Sequence, residues 1–448
     1  MPTFRPVDRA TPYLLPPSVS EWLPETHLAR FVVEVVEQMD LSALTRPYRG
    51  SGSAAYHPAL LVALLIYGYA TGVFSSRKIE RATYDSIAFR FIAANQHPDH
   101  DSLCTFRRRF LKEIESLFTQ VLVLAREMGL LKVGTVALDG TKVKANASKH
   151  SALSYGHAEQ LEAHLTAEVA ELLALAEQAD QAAIPDGMSL PDELARRDAR
   201  LHALADAKAK IEARAAERVA RERAEYEAKL AARQAKQART GKKPGGKPPA
   251  PPVAGPTAQD QVNLTDDESR ILPVSGGGFE QAYNAQAAVD TDSLLIVGQQ
   301  VSQAPNDKQQ LAPMLASLSA AEGVPEALLA DTGYFSEANV LLCEAVGTEP
   351  LLAMQRESHH LTWQERFGAP PPLPEDASAV ERMAHRLRTP AGRAVYALRK
   401  QTVEPVFGIL KSVMGFRQFL LRGLEKVRGE WGLVTLAWNV RRLFALAA

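Results

Sequence analysis

The stretch Val133-Gly-Thr-Val-Ala-Leu-Asp139-Gly-Thr141 decides how this chain is read. An apolar, strand-like run ends on a carboxylate, where a fold fixes the backbone while the side chain faces a cleft. A second run, Ala327-Leu-Leu-Ala-Asp331-Thr-Gly-Tyr-Phe335, ends the same way. A third acid lies in a helix-biased segment, Tyr396-Ala-Leu-Arg399-Lys400-Gln-Thr-Val-Glu404-Pro-Val-Phe-Gly-Ile-Leu-Lys411, whose basic residues recur at helical spacing. Glu404 and Lys400 are four apart and share a face, with Lys411 two turns beyond. Pro405 disfavours helical geometry at the residue before it, so a kink or a helix start is expected at Glu404. Any one of these acids alone is an ordinary turn, cap or surface residue; their conjunction in this order carries the argument.

Working outward, strand patterns occur at Ala282-Tyr-Asn-Ala-Gln-Ala-Ala-Val289 and Leu294-Leu-Ile-Val-Gly-Gln-Gln-Val301, joined by a turn at Asp290-Thr-Asp292. A helix near 307–320, the Asp331 strand, a helix over 337–345 and a strand at Pro350–Met354 follow. A loop-rich piece, 357–390, precedes the Glu404 helix. The order is strand, two-strand hairpin, helix, strand, helix, strand, helix. That is a ribonuclease-H-like order, an α/β fold with a mixed sheet, interrupted after its first strand. The predicted catalytic domain is 131–150 plus 256–448. Residues 1–130 read as a helical N-terminal domain, 151–235 as an inserted helical hairpin or coiled coil, and 236–255 as a basic Pro/Gly-rich linker.

The chain has 448 residues and a formal net charge of −1, so bulk charge does not point to nucleic acid and charge distribution must. Two cysteines, Cys104 and Cys343, stand in unrelated contexts, which argues against a zinc site or disulfide framework and fits a reducing cytoplasm. The N-terminus shows no signal or transit pattern. The longest apolar stretch, Ala59–Phe74, is shorter than the ~20 residues that span a bilayer and reads as a buried helix; no membrane partner is expected.

Three acids from three elements suit one chemistry. In-line displacement at a phosphodiester is served by two hard cations, Mg²⁺ or Mn²⁺, about 3.5–4 Å apart, and such ions take oxygen ligands and keep several waters. With these motifs go Gln281-Ala-Tyr283-Asn284-Ala-Gln286, Val403-Glu404-Pro405-Val-Phe407 and Asn263-Leu-Thr-Asp266-Asp-Glu-Ser269-Arg270. Together they resemble a bacterial insertion-sequence transposase of the DDE type with an InsH-type helical N-terminal region, over most of the chain outside 151–255. The resemblance implies a transposase that binds terminal inverted repeats, cleaves with two Mg²⁺ or Mn²⁺ ions and transfers the freed 3′ end to target DNA. It implies Asp139, Asp331 and Glu404 as metal ligands. Tyr396, Arg399 or Lys400, and Lys411 become helpers of a Tyr-Arg-Glu-Lys signature. That signature places its arginine four residues before the glutamate, whereas here Lys400 is at four and Arg399 at five. It further implies double-stranded DNA as partner, a homodimer on DNA, and a nucleoid-associated place in a bacterial cytoplasm. A transposase-derived DNA-binding protein and a nuclease that does not join strands are the rival readings.

For DNA contact, Arg107, Arg108 and Arg109 follow an N-cap at Asp101-Ser102, with a further helix upstream near Ser75–Arg81, in the manner of a helix-turn-helix. A basic arm between Lys208 and Lys247, including Lys242 and Lys243, holds thirteen Lys/Arg against five Asp/Glu and could neutralise phosphates. Trp431 and Trp438, seven apart, read as core, and His97 and His100 as loop residues.

Overall fold

The computed structural model describes residues 5–9, 18–48, 54–178, 189–241, 245–274, 277–321, 323–355, 362, 368 and 370–447. It divides into two compact units, one of residues 1–146 with 271–448 and one of 147–270.

In the first unit, β1 (Thr135–Lys144) lies centrally. It pairs antiparallel with β5 (Phe279–Asp290) and parallel with β7 (Ala327–Ala330), which pairs parallel with β8 (Glu349–Leu352). On the far side of β5 run β6 (Ile296–Ser302), antiparallel, and the short β4 (Arg270–Pro273). The core path β6-β5-β1-β7-β8 is a ribonuclease-H-like mixed sheet. Its strands are apolar because both faces are covered: β5 is buried from Gln281 to Asp290 and all four residues of β7 are buried. At the β5–β6 corner the Asp290 carboxylate accepts from Ser293 N–H (2.9 Å) and Oγ (2.6 Å), an Asx turn that closes the hairpin.

The helical N-terminal segment does not form a unit of its own. Helices Leu28–Gln38, Pro58–Ala70 and Leu111–Glu127 pack against the C-terminal helix Leu424–Ala447, which also lies along β6. Helix Pro58–Ala70 is apolar all round, and all but Ala59 of it is buried, as expected of a helix enclosed by others. Each Leu, Ile or Val so buried contributes ~1.5–3 kcal/mol. Asn439 Oδ1 accepts from Ile296 N–H (2.9 Å) and its Nδ2 donates to Ile296 C=O (2.8 Å), so the helix satisfies the edge of β6. Trp431 and Trp438 are core residues, their Nε1–H groups donating to Gln286 and Leu294 carbonyls at 3.0 Å each.

Two local expectations need correction. The Glu404 helix neither starts nor breaks at Glu404: it runs Pro390–Gly408, with Thr389 as N-cap and Pro390 in the first turn, and carries Pro405 inside it. The irregularity falls one turn later, in a π-helical turn Ile409–Val413. Within the piece read as loop, Ala379–Arg388 is a helix with a Ser378/Glu381 capping box.

The second unit is a helical hairpin, Tyr155–Gln178 and Leu190–Thr240, footed by strands β2 (Ala152–Ser154) and β3 (Gln261–Asn263). Leu165, Leu204, Ala207 and Ile211 form its core with Leu153 and Val262. Pro191 sits in the first turn of the second helix, where its missing N–H costs nothing.

Candidate active site

Asp139 and Asp331 stand side by side because β1 and β7 are parallel neighbours with Leu138 opposite Ala330. Each carboxylate is braced locally. Asp139 Oδ1 accepts from Gly140 N–H and Asp331 Oδ1 from Gly333 N–H, both at 2.8 Å. The third acid arrives from the helix. Arg399 donates to Asp139 Oδ2 at 3.2 Å and to Glu404 Oε1 at 2.9 Å, bridging the two. Of the two candidate helpers, then, Arg399 is the one that contacts the acids; it is half-buried, whereas Lys400 is exposed and forms no ion pair among the described residues.

Tyr396 O–H donates to Ala330 C=O at 3.4 Å, one residue before Asp331. Lys411, carried on the π-helical turn, donates to Thr141 Oγ1 (2.5 Å) and Lys142 C=O (3.0 Å). Burial lowers the Lys411 ammonium pKa, and the neighbouring charges of Lys142 and Arg417 lower it further. This corner of the site is a cluster of cations.

The sequence reading missed Asp307, in the loop after β6. Its Oδ1 accepts from Asn284 Nδ2 (2.6 Å) and Gln286 Nε2 (2.7 Å), with Lys142 Nζ at 3.5 Å. Gln286 in turn accepts from Tyr334 O–H. The sequence held one hint: Asn284 and Gln286 alternate within the largely apolar run Ala282–Val289, so two amides point to one face of β5. Gly140 is required beneath them, since a Cβ there would collide with Gln286 Nε2 and lie 2.7 Å from Asp307 Oδ1.

Electrostatics follow from this crowding. Burial pushes the Asp139 carboxyl up to about 6; Arg399 and the Gly140 amide pull it back, while Asp331 and Asp307 add to the rise. The same three aspartates, after burial, hold the Tyr334 hydroxyl protonated.

The donors are all oxygens, the set that Mg²⁺ or Mn²⁺ prefers, and a buried Asp139 whose neighbours are also acidic is a group a cation would stabilise. In this arrangement no three acidic, His or Cys side chains among the described residues enclose a common point, because Arg399 lies between Asp139 and Glu404. The donor chemistry fits a divalent ion; ligation would require Arg399 to yield its place.

The arginines singled out for DNA contact are separated by the fold. The helix begins at His100, two residues earlier than expected from an Asp101-Ser102 cap, with Asp99 accepting from Ser102 N–H at 2.8 Å. Arg107 is not a surface residue: it is 4% exposed and donates to Tyr69 Oη (2.8 Å) and Phe74 C=O (3.3 Å). Three consecutive residues cannot share one face of a helix, and the apolar face takes the first. Arg108 and Arg109 are exposed, Arg109 lying over the rings of Phe110 and Tyr48. In the second unit Lys208, Lys210, Arg218, Arg223 and Lys229 are already in ion pairs, and Lys242 and Lys243 lie outside the described residues.

The run read as ending at Asp139 continues as strand to Lys144, so Asp139 lies midway along β1. A mixed sheet of this order, with that carboxylate beside a second just past the end of the parallel strand β7 and a third on a late helix, defines a ribonuclease-H-like nucleic-acid-cleaving enzyme. Two family models match the chain, a transposase domain (DUF772) over residues 17–109 and a transposase DDE domain over residues 266–440. The chain belongs to the DDE transposases. No curated protein and no solved structure matches it. No helix among the described residues is long and apolar enough to cross a membrane.

Proposed function

We propose that this chain is the transposase of a bacterial insertion sequence, binding terminal inverted repeats and catalysing phosphodiester hydrolysis and strand transfer at the Asp139–Asp331–Glu404 site. The observation that carries the reading is the meeting of Asp139 on β1 with Asp331 just past the end of its parallel neighbour β7, and of Glu404 joined to Asp139 through Arg399. Asp139, Asp331 and Glu404 would hold two Mg²⁺ or Mn²⁺ ions, which supply charge stabilisation at the attacking and leaving oxygens of an in-line displacement.

The chain's own residues orient that chemistry. Gly140 and Gly333 N–H groups fix Oδ1 of Asp139 and of Asp331, while Arg399 holds Oδ2 of Asp139. Lys411, fixed by Thr141 and Lys142, presents its third N–H to a phosphate, and Arg417 and Lys142 deepen the positive potential there. Arg399 offsets the charge of Asp139 and Glu404 and, once displaced from them, would be placed to contact phosphate. Tyr396 packs the helix onto β7 at the residue preceding Asp331. Arg108 and Arg109 are the exposed arginines left for element-end DNA. A homodimer on DNA and a nucleoid-associated cytoplasmic location complete the proposal.

The test is cleavage of a labelled element-end duplex in Mg²⁺ or Mn²⁺ by wild type, Asp139→Asn, Asp331→Asn and Glu404→Gln. The expected result is metal-dependent nicking, lost in all three variants with DNA binding retained. Binding without cleavage on a verified cognate end would favour a transposase-derived DNA-binding protein. Cleavage without joining of pre-cleaved ends would favour a nuclease.

A further inference from the structure

Asp307 is built into the cleft in a way that a simple loop anchor does not require. All its donors converge on one oxygen: Asn284, Gln286 and Lys142 address Oδ1. No described group donates to Oδ2. That free oxygen faces the triad, because the point a Cβ would occupy on Gly333 lies 3.6 Å from Asp307 Oδ2 and 3.0 Å from Asp331 Oδ1. The missing side chain at residue 333 therefore leaves a gap flanked by two carboxylates. Gly140 has the matching role beneath Gln286, giving the amide room to press Asp307 into position.

The charge balance points the same way. Four carboxylates, Asp139, Asp307, Asp331 and Glu404, gather here, and among the described residues only Arg399 and Lys142 form ion pairs with them. Asp307 is 21% exposed and Asp139 20%, so water screens their repulsion only in part. A hydrogen-bond anchor in that position would be served as well by a neutral amide. A second negative charge held toward Asp331 is useful when a cation is to sit between them.

Resting on the metal-dependent reading above, we propose that Asp307 is a fourth acidic ligand of this site, anchored through Oδ1 and offering Oδ2 with Asp331 to a divalent cation. One or two carboxylates with retained waters suffice for Mg²⁺ or Mn²⁺, so the pair needs no further protein donor.

Asp307→Asn separates anchoring from ligation. Its side-chain oxygen still accepts from Asn284, Gln286 and Lys142, while the anionic Oδ2 is gone. The experiment is Mn²⁺ titration of the full chain without DNA, following free Mn²⁺ by electron paramagnetic resonance, for wild type, Asp139→Asn and Asp307→Asn. The expected result is an affinity lowered on the order of ten-fold or more in Asp307→Asn, with unchanged circular dichroism. Wild-type affinity in Asp307→Asn, alongside weakened binding in Asp139→Asn, would overturn the Asp307 assignment and leave the triad standing. Failure of wild type to bind Mn²⁺ at a site weakened by Asp139→Asn would overturn both. Should Asp307→Asn not fold, Fe²⁺-driven backbone cleavage of the wild-type chain decides instead. Cuts beside residue 307 as well as beside 139 and 331 support the proposal, and cuts confined to the latter two refute it.

Discussion

Two clusters of the first unit set an arginine near an inward-facing carboxylate, Arg399 against Asp139 directly and Arg107 near Glu430 through Tyr69, and they are finished differently. Around Glu430 both carboxylate oxygens are taken. The residue is fully buried, accepting from Leu420 and Leu421 N–H groups (2.9 Å each) and from Tyr69 O–H (3.1 Å), while Arg107 donates to the same Tyr69 oxygen. Burial pushes the Glu430 carboxyl up, against the pull of Arg107 and these donors. Around Asp139 the four carboxylates outnumber the two cations paired with them among the described residues, Arg399 and Lys142. The Glu430 carboxylate holds helices together, whereas the Asp139 cluster keeps more negative charge than its own cations offset. The Glu430 cluster also ties helix Pro58–Ala70 to the 417–421 segment, whose Arg417 and Phe419 backbone groups bond Lys144 at the end of β1.

The contrast can be broken most sharply through activity. Asp331→Asn should lose about a thousand-fold in element-end cleavage, the equivalent of several kcal/mol of charge stabilisation, while unfolding near the wild-type temperature; single-turnover cleavage and thermal melts check both halves. Arg107→Ala should do the reverse at the closed cluster. It leaves Glu430 buried without its cation and should destabilise by about 3–5 kcal/mol, read in urea unfolding, and a wild-type midpoint would show that the network is not what holds that interface.

Asp139→Asn sharpens the comparison through pH. The folded state binds this proton more tightly than the unfolded chain, so ionisation costs stability as pH rises from 3.8 to about 6. The asparagine variant escapes that cost and should be more stable than wild type at neutral pH by ~1–2 kcal/mol, the gain vanishing below pH 3.8. For the same reason Mn²⁺ affinity of the wild type should fall as pH drops below about 6, since the proton competes for Asp139. Stability curves at pH 3.5 and 7 and Mn²⁺ titrations at pH 5 and 7 measure these effects. The smallest expected effect is at Arg108. Its alanine variant should change stability by under ~0.5 kcal/mol, yet weaken element-end binding and reduce its salt slope by about one; an unchanged slope would remove Arg108 from the interface.

Much of this was legible residue by residue. Asp139, Asp331 and Glu404 stand out because each terminates or interrupts a local pattern, and the order of strands and helices follows from runs of apolar residues and turn chemistry. The hairpin read over 151–235 is present, with Leu161, Leu165, Leu201 and Leu204 packed in one cluster, although its footing by β2 and β3 was too short to register. The capped helix Ala379–Arg388 was lost among the prolines before it.

What the sequence by itself determined is what nearest neighbours along the chain decide: apolar strand runs, turn chemistry and helical stripes. Only the tertiary structure decided that Arg399 rather than Lys400 meets Asp139, that Arg107 is buried against Tyr69 and Phe74, and that Asp307 lies beside Asn284 and Gln286, 168 residues after Asp139 in the chain. These depend on which side of a helix faces the sheet and on which loop a neighbouring strand's amides capture. Such choices are fixed by close packing and by the cost of leaving a buried charge or amide without a partner, and those act between residues far apart in sequence.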